Sequence, residues 1–195
     1  MKLSLQKSIT EEDLIARCQK ENPQAQALLY NKYAKKMFAI CLRYIKTPDE
    51  AEDTMINAFM KVFTNISKFE GKGSFEGWMR RIMVNESLTY LRRNKSMYLE
   101  VDIEKADYEP DYNSLSNHLE TEDLMVMVGN LPVGYRTVFN LYAVEGYSHK
   151  EIAEQLGITV STSKTQLSRA RAQLKNQLIE SEKQLNQKII GHDEA

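Results

Sequence analysis

Lys164, Thr165, Ser168, Arg169, Arg171 and Lys175 fall on the polar side of one helical stretch, and from Thr159 to Leu178 there are four basic residues and no acidic one. Ammonium and guanidinium groups suit guanine O6 and N7 and phosphate oxygens, and hydroxyls suit phosphate or several base edges. On the other side Val160, Ser163, Leu167, Ala170 and Leu174 recur at steps of 3, 4, 3 and 4, a spacing that predicts one buried seam. Upstream, Ser148 is placed to cap a short helix with Ile152, Ala153 and Leu156 on one face. Gly157 suits a turn with positive φ, and Thr159 suits the cap of the second helix. This is a helix-turn-helix pattern, and a helix with one apolar seam and one basic, hydroxyl-rich face fits the major groove. The chemistry is recognition of DNA rather than catalysis.

Residues for catalysis or metal binding do not assemble in the same way. No Gly-rich phosphate cradle and no nucleophile–base signature is found. Cys18 and Cys41 stand 23 residues apart with no CxxC, and His118, His149 and His192 are scattered. Neither a metal nor a cofactor is expected, and both thiols are read as reduced packing residues. No apolar run approaches the roughly 18 residues of a membrane span, and the N-terminus lacks the apolar core of a signal peptide. The chain is expected to be soluble and cytoplasmic.

A net charge of −1 over 195 residues hides a strong asymmetry. Residues 1–95 carry a net charge of +6, residues 96–123 −8, residues 124–180 +2 and residues 181–195 −1. Two basic parts separated by an acidic one suit two DNA-facing units held apart.

The elements that must position these residues are helical throughout, so the expected fold is all-α. Thr10 opens a helix to about Lys20. Asn22-Pro23 opens a long one carrying Leu28, Tyr33, Met37, Cys41 and Ile45, and Thr47-Pro48 opens a third to about Phe63 with Ala51, Met55, Phe59 and Val62 toward a core. Gly71 and Gly73 break the pattern, and Ser74 is placed to cap a fourth helix carrying Trp78, Ile82, Leu88 and Leu91. Residues 1–95 are therefore read as one unit containing four helices. Residues 96–118, rich in Asp, Glu, Asn, Ser and Tyr, read as an acidic linker. Residues 119–180 read as a second unit, with a helix from Leu119, another from Leu131-Pro132 to about Val144, and the helix-turn-helix. Residues 181–195 read as a polar tail, fraying after Ile179.

In this order the segments LLYNKYAKKMFAICLRYIKTPDEAEDTMINAFMKVF, KFEGKGSFEGWMRRIMVNESLTYLRRNK and LPVGYRTVFNLYAVEGYSHKEIAEQLGITVSTSKTQLSRARAQL resemble an extracytoplasmic-function (group 4) sigma factor, a promoter-recognition subunit of bacterial RNA polymerase. The resemblance covers about residues 25–95 and 119–178. It implies that the first unit is sigma domain 2 and the second is sigma domain 4. It also implies docking on core RNA polymerase, through the clamp helices of the largest subunit and the flap. The docking surface would be the helix from Asp49 to Phe63, with Glu50, Asp53, Asn57 and Phe59. The same charges equally suit a solvated helix face.

Promoter melting needs aromatics to hold unstacked bases, a loop to receive a flipped base, and cations for the single strand. The resemblance places this work on Phe69, Lys72, Ser74, Phe75, Arg81, Asn85, Thr89, Arg92 and Arg93 at the −10 element. Phe69 and Phe75 fit a base-holding or a packing role, whereas a lone Trp78 fits packing better. Domain 4 would read the −35 element through Lys164, Thr165, Ser168 and Arg169, with Arg171 and Lys175 on phosphate. The linker either threads the polymerase as a nucleic-acid mimic or acts as a spacer. Against the family pattern, Ile56-Asn57 stand where Gln-Glu is common, Thr89 where Asp or Asn is common, and Ser163 and Gln166 where Val and Arg are usual. The implied partners are core RNA polymerase, promoter DNA and an anti-sigma factor or another recruiting protein. The alternative from another class is a helix-turn-helix regulator acting on duplex DNA without polymerase. Phe69 to Trp78 discriminates between them, since a duplex-only binder would not need that segment.

Overall fold

The structure, a computed structural model, describes residues 9–94 and 121–190. Every described element is a helix. In order these are α1 (Glu11–Cys18), α2 (Pro23–Leu42), α3 (Pro48–Asn65) followed by a 3₁₀ turn (Ile66–Lys68), α4 (Phe75–Arg93), α5 (Thr121–Asn130), α6 (Val133–Phe139) continued by a π turn (Asn140–Val144), α7 (His149–Leu156) and α8 (Val160–Ile190). The chain divides into two compact units, Met1–Tyr90 and Leu91–Ala195. The acidic linker expected over 96–118 lies outside the described residues.

The helix starts follow from their caps. Thr10 Oγ1 accepts from the Asp13 amide at 3.2 Å and Asn22 Oδ1 from Ala25 at 2.9 Å, satisfying amides that have no carbonyl partner within the helix. Pro48 starts α3 with its φ already helical, without a side-chain bond from Thr47. Gly71 and Gly73 adopt positive φ (73° and 84°), which makes the turn before α4. Ser74 Oγ then accepts from the Gly77 amide at 3.0 Å, so its hydroxyl serves as the cap of α4.

In the first unit Met37 and Cys41 of α2 and Ala51, Met55, Phe59 and Val62 of α3 are buried, as the spacing predicts, and so are Leu29 and Ala58, which the expected pattern left out; Phe75, Met79, Met83 and Val84 of α4 are also buried. Each large apolar side chain withdrawn from water contributes about 1.5–3 kcal/mol. Burial pushes the Cys41 thiol up to about 11, which keeps it a neutral packing group. Leu28 is an exception to the apolar pattern of α2 and is about half exposed. On α4 the inward positions are Met79, Met83, Val84, Ser87, Leu88 and Leu91, whereas Trp78 and Ile82 sit on the rim.

In the second unit Val128 and Leu131 pack on Ala170 and Leu174, with Met127, Tyr135 and Phe139 at the edge. Ile152, Ala153 and Leu156 of α7 are buried, as the one-face pattern requires. Arg136 is wholly buried, and its Nη1 donates to the Gly129 carbonyl at 3.1 Å, a favourable place for a cation at the end of α5. The helix from Leu131-Pro132 reaches Val144 as expected, widening after Phe139 into a π turn with the Glu145 amide bonded to the Asn140 carbonyl at 2.9 Å. Two local readings are corrected. Val160 lies outside the seam, 41% exposed in the first turn of α8, before that helix reaches the core. The last helix continues past Ile179 to Ile190.

Candidate nucleic-acid interface

The helix-turn-helix is built as its sequence requires. Ser148 and Glu151 form a reciprocal capping box on α7, Gly157 takes φ 67° at the turn, and Thr159 Oγ1 accepts from the Thr162 amide at 3.0 Å to cap α8. Hydrogen bonds from Ser148 hold the Glu151 carboxyl below its ordinary value. On α8, Lys164, Ser168, Arg171 and Lys175 stand at i, i+4, i+7 and i+11 and so share one stripe. Thr165 and Arg169 lie on the other flank, where Arg169 Nη1 donates to the Tyr135 hydroxyl at 3.3 Å. The six candidate residues are thus divided between two edges of the helix rather than lying in one row.

Gln166 is not on that outer face. It is 8% exposed and its amide lies against Gly134, where a β-carbon would come within 3.3 Å of Nε2. Its neutral amide occupies a position that is closed to water. Ser163, wholly buried, receives a polar partner in His149, whose Nδ1 lies 2.9 Å from Ser163 Oγ.

In the first unit Phe69, Phe75 and Trp78 form one cluster, with centroids 5.1, 5.8 and 5.5 Å apart. Phe75 is 2% exposed and also meets Tyr33 edge-on, so it holds the cluster from below and has no free face for a base. Phe69 and Trp78 are half-buried. Arg81, Asn85, Thr89 and Arg92 stand at i, i+4, i+8 and i+11, one stripe of α4, with Arg93 beside it. Thr89 Oγ1 donates back to the Asn85 main-chain carbonyl at 2.8 Å, and the Asn85 side chain is exposed. In the loop Lys72 pairs with Glu70 at 2.6 Å, both well exposed. An open groove of about 360 Å³ runs between α3 and α4, lined by Lys61, Asn65, Lys68, Trp78, Ile82, Asn85 and Glu86. Lys61, Asn65 and Lys68 were not singled out from the sequence, although their i, i+4, i+7 spacing at the end of α3 marks one polar stripe.

Along α3, Asp49, Glu50, Glu52, Asp53, Ile56, Asn57 and Met60 are exposed. Hydrogen bonds from Tyr90 and Thr47 hold the Glu50 carboxyl below its ordinary value. Phe59 is 2% exposed and packs on Tyr30, so it supports this face from behind and offers nothing to a partner. Ile56 and Met60, 44% and 64% exposed, are the large apolar side chains exposed on α3.

Known proteins carry the same two parts. The family described as Sigma-70 region 2 matches residues 29–97, and Sigma-70 region 4 matches residues 121–174. The ECF RNA polymerase sigma factor SigW of Bacillus subtilis is 30% identical over 176 residues, 84% of this chain and 94% of that protein. The chain belongs to the extracytoplasmic-function sigma factors. The ECF RNA polymerase sigma-E factor of Haemophilus influenzae is 28% identical over 87% of this chain and 96% of its own length. The co-crystal structure of the sigma factor RpoE with the anti-sigma factor NepR from Bartonella quintana is similar at 23% identity and a TM-score of 0.46, over 78% of this chain and 95% of that one.

As a sigma factor the chain is a regulator of transcription initiation that works with RNA polymerase and promoter DNA. The region 4 match ends at Leu174, whereas α8 of this sigma factor runs on to Ile190. No described helix is long and apolar enough to cross a membrane.

Proposed function

We propose that this sigma factor divides its work among three surfaces. The exposed face of α3 docks on the clamp helices of the largest polymerase subunit, the α4 stripe with Phe69 and Trp78 opens the −10 element, and α8 reads the −35 element. The domains concerned are residues 1–95 and 119–180, with the acidic segment 96–118 between them and a polar tail over 181–195. The half-buried pair Phe69 and Trp78, with Asn85 lining the same groove as Trp78 and Arg81 one turn along α4, carries the reading. Stacking faces next to cations are what a separated single strand needs and what a duplex-only regulator does not. Lys72 and Ser74 contribute through the loop, one as a cation and the other by setting the start of α4. Thr89 stands on the same stripe of α4 as Asn85.

On this reading the chain supplies no catalytic residue, since bond formation belongs to the polymerase, and it acts in the cytoplasm. The family resemblance adds the flap as a second polymerase contact and an anti-sigma factor as a controlling partner. The test is transcription of sheared genomic DNA by core polymerase with and without the chain, mapping the RNA 5′ ends. A new set of starts sharing two spaced elements, abolished in Phe69→Ala/Asn85→Ala, supports the assignment. Starts that are unchanged by the chain would refute it.

A further inference from the structure

We propose that His149 belongs to the duplex-DNA surface of the second unit and takes up one proton when a backbone phosphate docks beside Lys164 and Arg171. The inference rests on the reading of α8 as the DNA helix and adds proton linkage to it. Three elements meet at this point. His149 opens α7 directly after its cap. Its ring stacks on Tyr142 of the π turn, with centroids 4.6 Å apart and planes 22° from parallel. Its Nδ1 is 2.9 Å from the buried Ser163 hydroxyl of α8. The Arg171 guanidinium in turn lies 5.8 Å from the centre of the same Tyr142 ring. The imidazole is therefore fixed at the base of the Lys164–Arg171 stripe.

The groups that face it are Tyr142 from the π turn and Lys164 and Arg171 from α8. On its own helix Lys150 and Glu151 follow in sequence, and Glu151 is engaged by Ser148. Burial, and then the fields of Lys164 and Arg171, hold the imidazole below its ordinary value, so the free protein disfavours its charged form. A phosphodiester seated on those two cations reverses the local field. With Nδ1 engaged by Ser163, Nε2 is the nitrogen left to donate to a phosphate oxygen. Protonation and DNA binding then favour each other by the same factor. Ser163 also gains a purpose: a valine on this seam would pack but would leave Nδ1 without its partner.

The test uses the full chain and a mixed-sequence duplex of about 30 base pairs, since phosphate contacts are independent of sequence. Affinity is measured by fluorescence anisotropy at fixed low salt from about pH 5.5 to 8, spanning the imidazole range. Wild-type affinity is expected to fall as pH rises, by about tenfold for each unit by which docking raises the imidazole pKa. His149→Gln is expected to lose that dependence, and Lys164→Ala to bind more weakly at every pH. In parallel, the His149 Cε1 proton is titrated by NMR in wild type, where adding duplex is expected to raise its pKa. Equal pH slopes in wild type and His149→Gln, or an NMR pKa that duplex leaves in place, overturn the proposal alone. Lys164→Ala binding as tightly as wild type overturns the underlying reading of α8 and the proposal with it.

Discussion

The rings of Phe75 and Trp78 stack with centroids 5.5 Å apart and planes 27° from parallel, but Phe75 is 2% exposed whereas Trp78 stands on the rim of the α3–α4 groove. Phe69 closes the triangle from the loop side. The cluster has a buried foundation and a half-exposed top. Two residues that the sequence left open between packing and base-holding are thereby separated: Phe75 packs, and Phe69 reaches the surface.

Phe75→Ala removes a ring from the core and is expected to cost about 3–5 kcal/mol of stability, read as a lowered Tm. Asn85→Ala touches an exposed side chain and is expected to stay within about 0.5 kcal/mol of wild type. Promoter opening, followed by permanganate reactivity of −10 thymines with core polymerase present, is expected to fall for Asn85→Ala while Tm stays in place. Normal opening by Asn85→Ala would remove it from the −10 surface.

Ile56 and Met60 lie exposed among carboxylates on α3. Ile56→Asp is expected to weaken association with core polymerase, measured as displacement of the labelled wild-type chain, with an unchanged melting curve. Phe59→Ala, from the buried side of the same helix, is expected to lower Tm by the cost of a core cavity, about 3–5 kcal/mol. Undiminished competition by Ile56→Asp would show that the apolar pair lies outside the docking face.

On the proposed reading of α8, cations that meet phosphate act without regard to sequence. Lys175→Ala is expected to weaken duplex binding to every sequence about equally and to reduce the slope of log affinity against log salt by about 1. Filter binding across a salt series on two unrelated duplexes checks both. A loss confined to one duplex would instead place Lys175 at a base edge.

The lowered imidazole of His149 also sets a pH dependence of folding. Because its folded value lies below its unfolded one, the unfolded chain binds the proton more tightly. The contribution is fully present above the ordinary imidazole value of about 6.5 and is lost as pH falls through the folded one. Tm is therefore expected to fall between about pH 7.5 and 5.5, and by less in His149→Gln. An equal fall in both proteins would mean that other groups carry it.

Where a helix starts and which side of α3 is buried were legible because caps, prolines and apolar spacing act locally: Thr10, Asn22, Ser74, Ser148 and Thr159 all cap as their types predict. The helix-turn-helix was legible for the same reason, down to the positive φ of Gly157. What escaped depends on neighbours distant in sequence. Gln166 is polar, yet α6 approaches closely enough at Gly134 to bury it. Val160 is apolar, yet it precedes the first contact of α8 with the core. The π turn that brings Tyr142 onto His149 has no residue signature of its own, and so the Tyr142–His149–Ser163 arrangement was invisible in the sequence. The division of Lys164, Ser168, Arg171 and Lys175 from Arg169 follows from helical spacing, but the bond from Arg169 to Tyr135 of α6 does not.

The most direct test of the account is co-elution with core RNA polymerase in size-exclusion chromatography, wild type against Asp53→Arg. Asp53 is exposed in the middle of the acidic face of α3, so reversing its charge leaves the core untouched. Wild type is expected to co-elute with the polymerase, and Asp53→Arg to elute free with an unchanged melting curve. A wild-type chain that stays apart from the polymerase while binding duplex DNA alone, or an Asp53→Arg chain that co-elutes as wild type does, would contradict it.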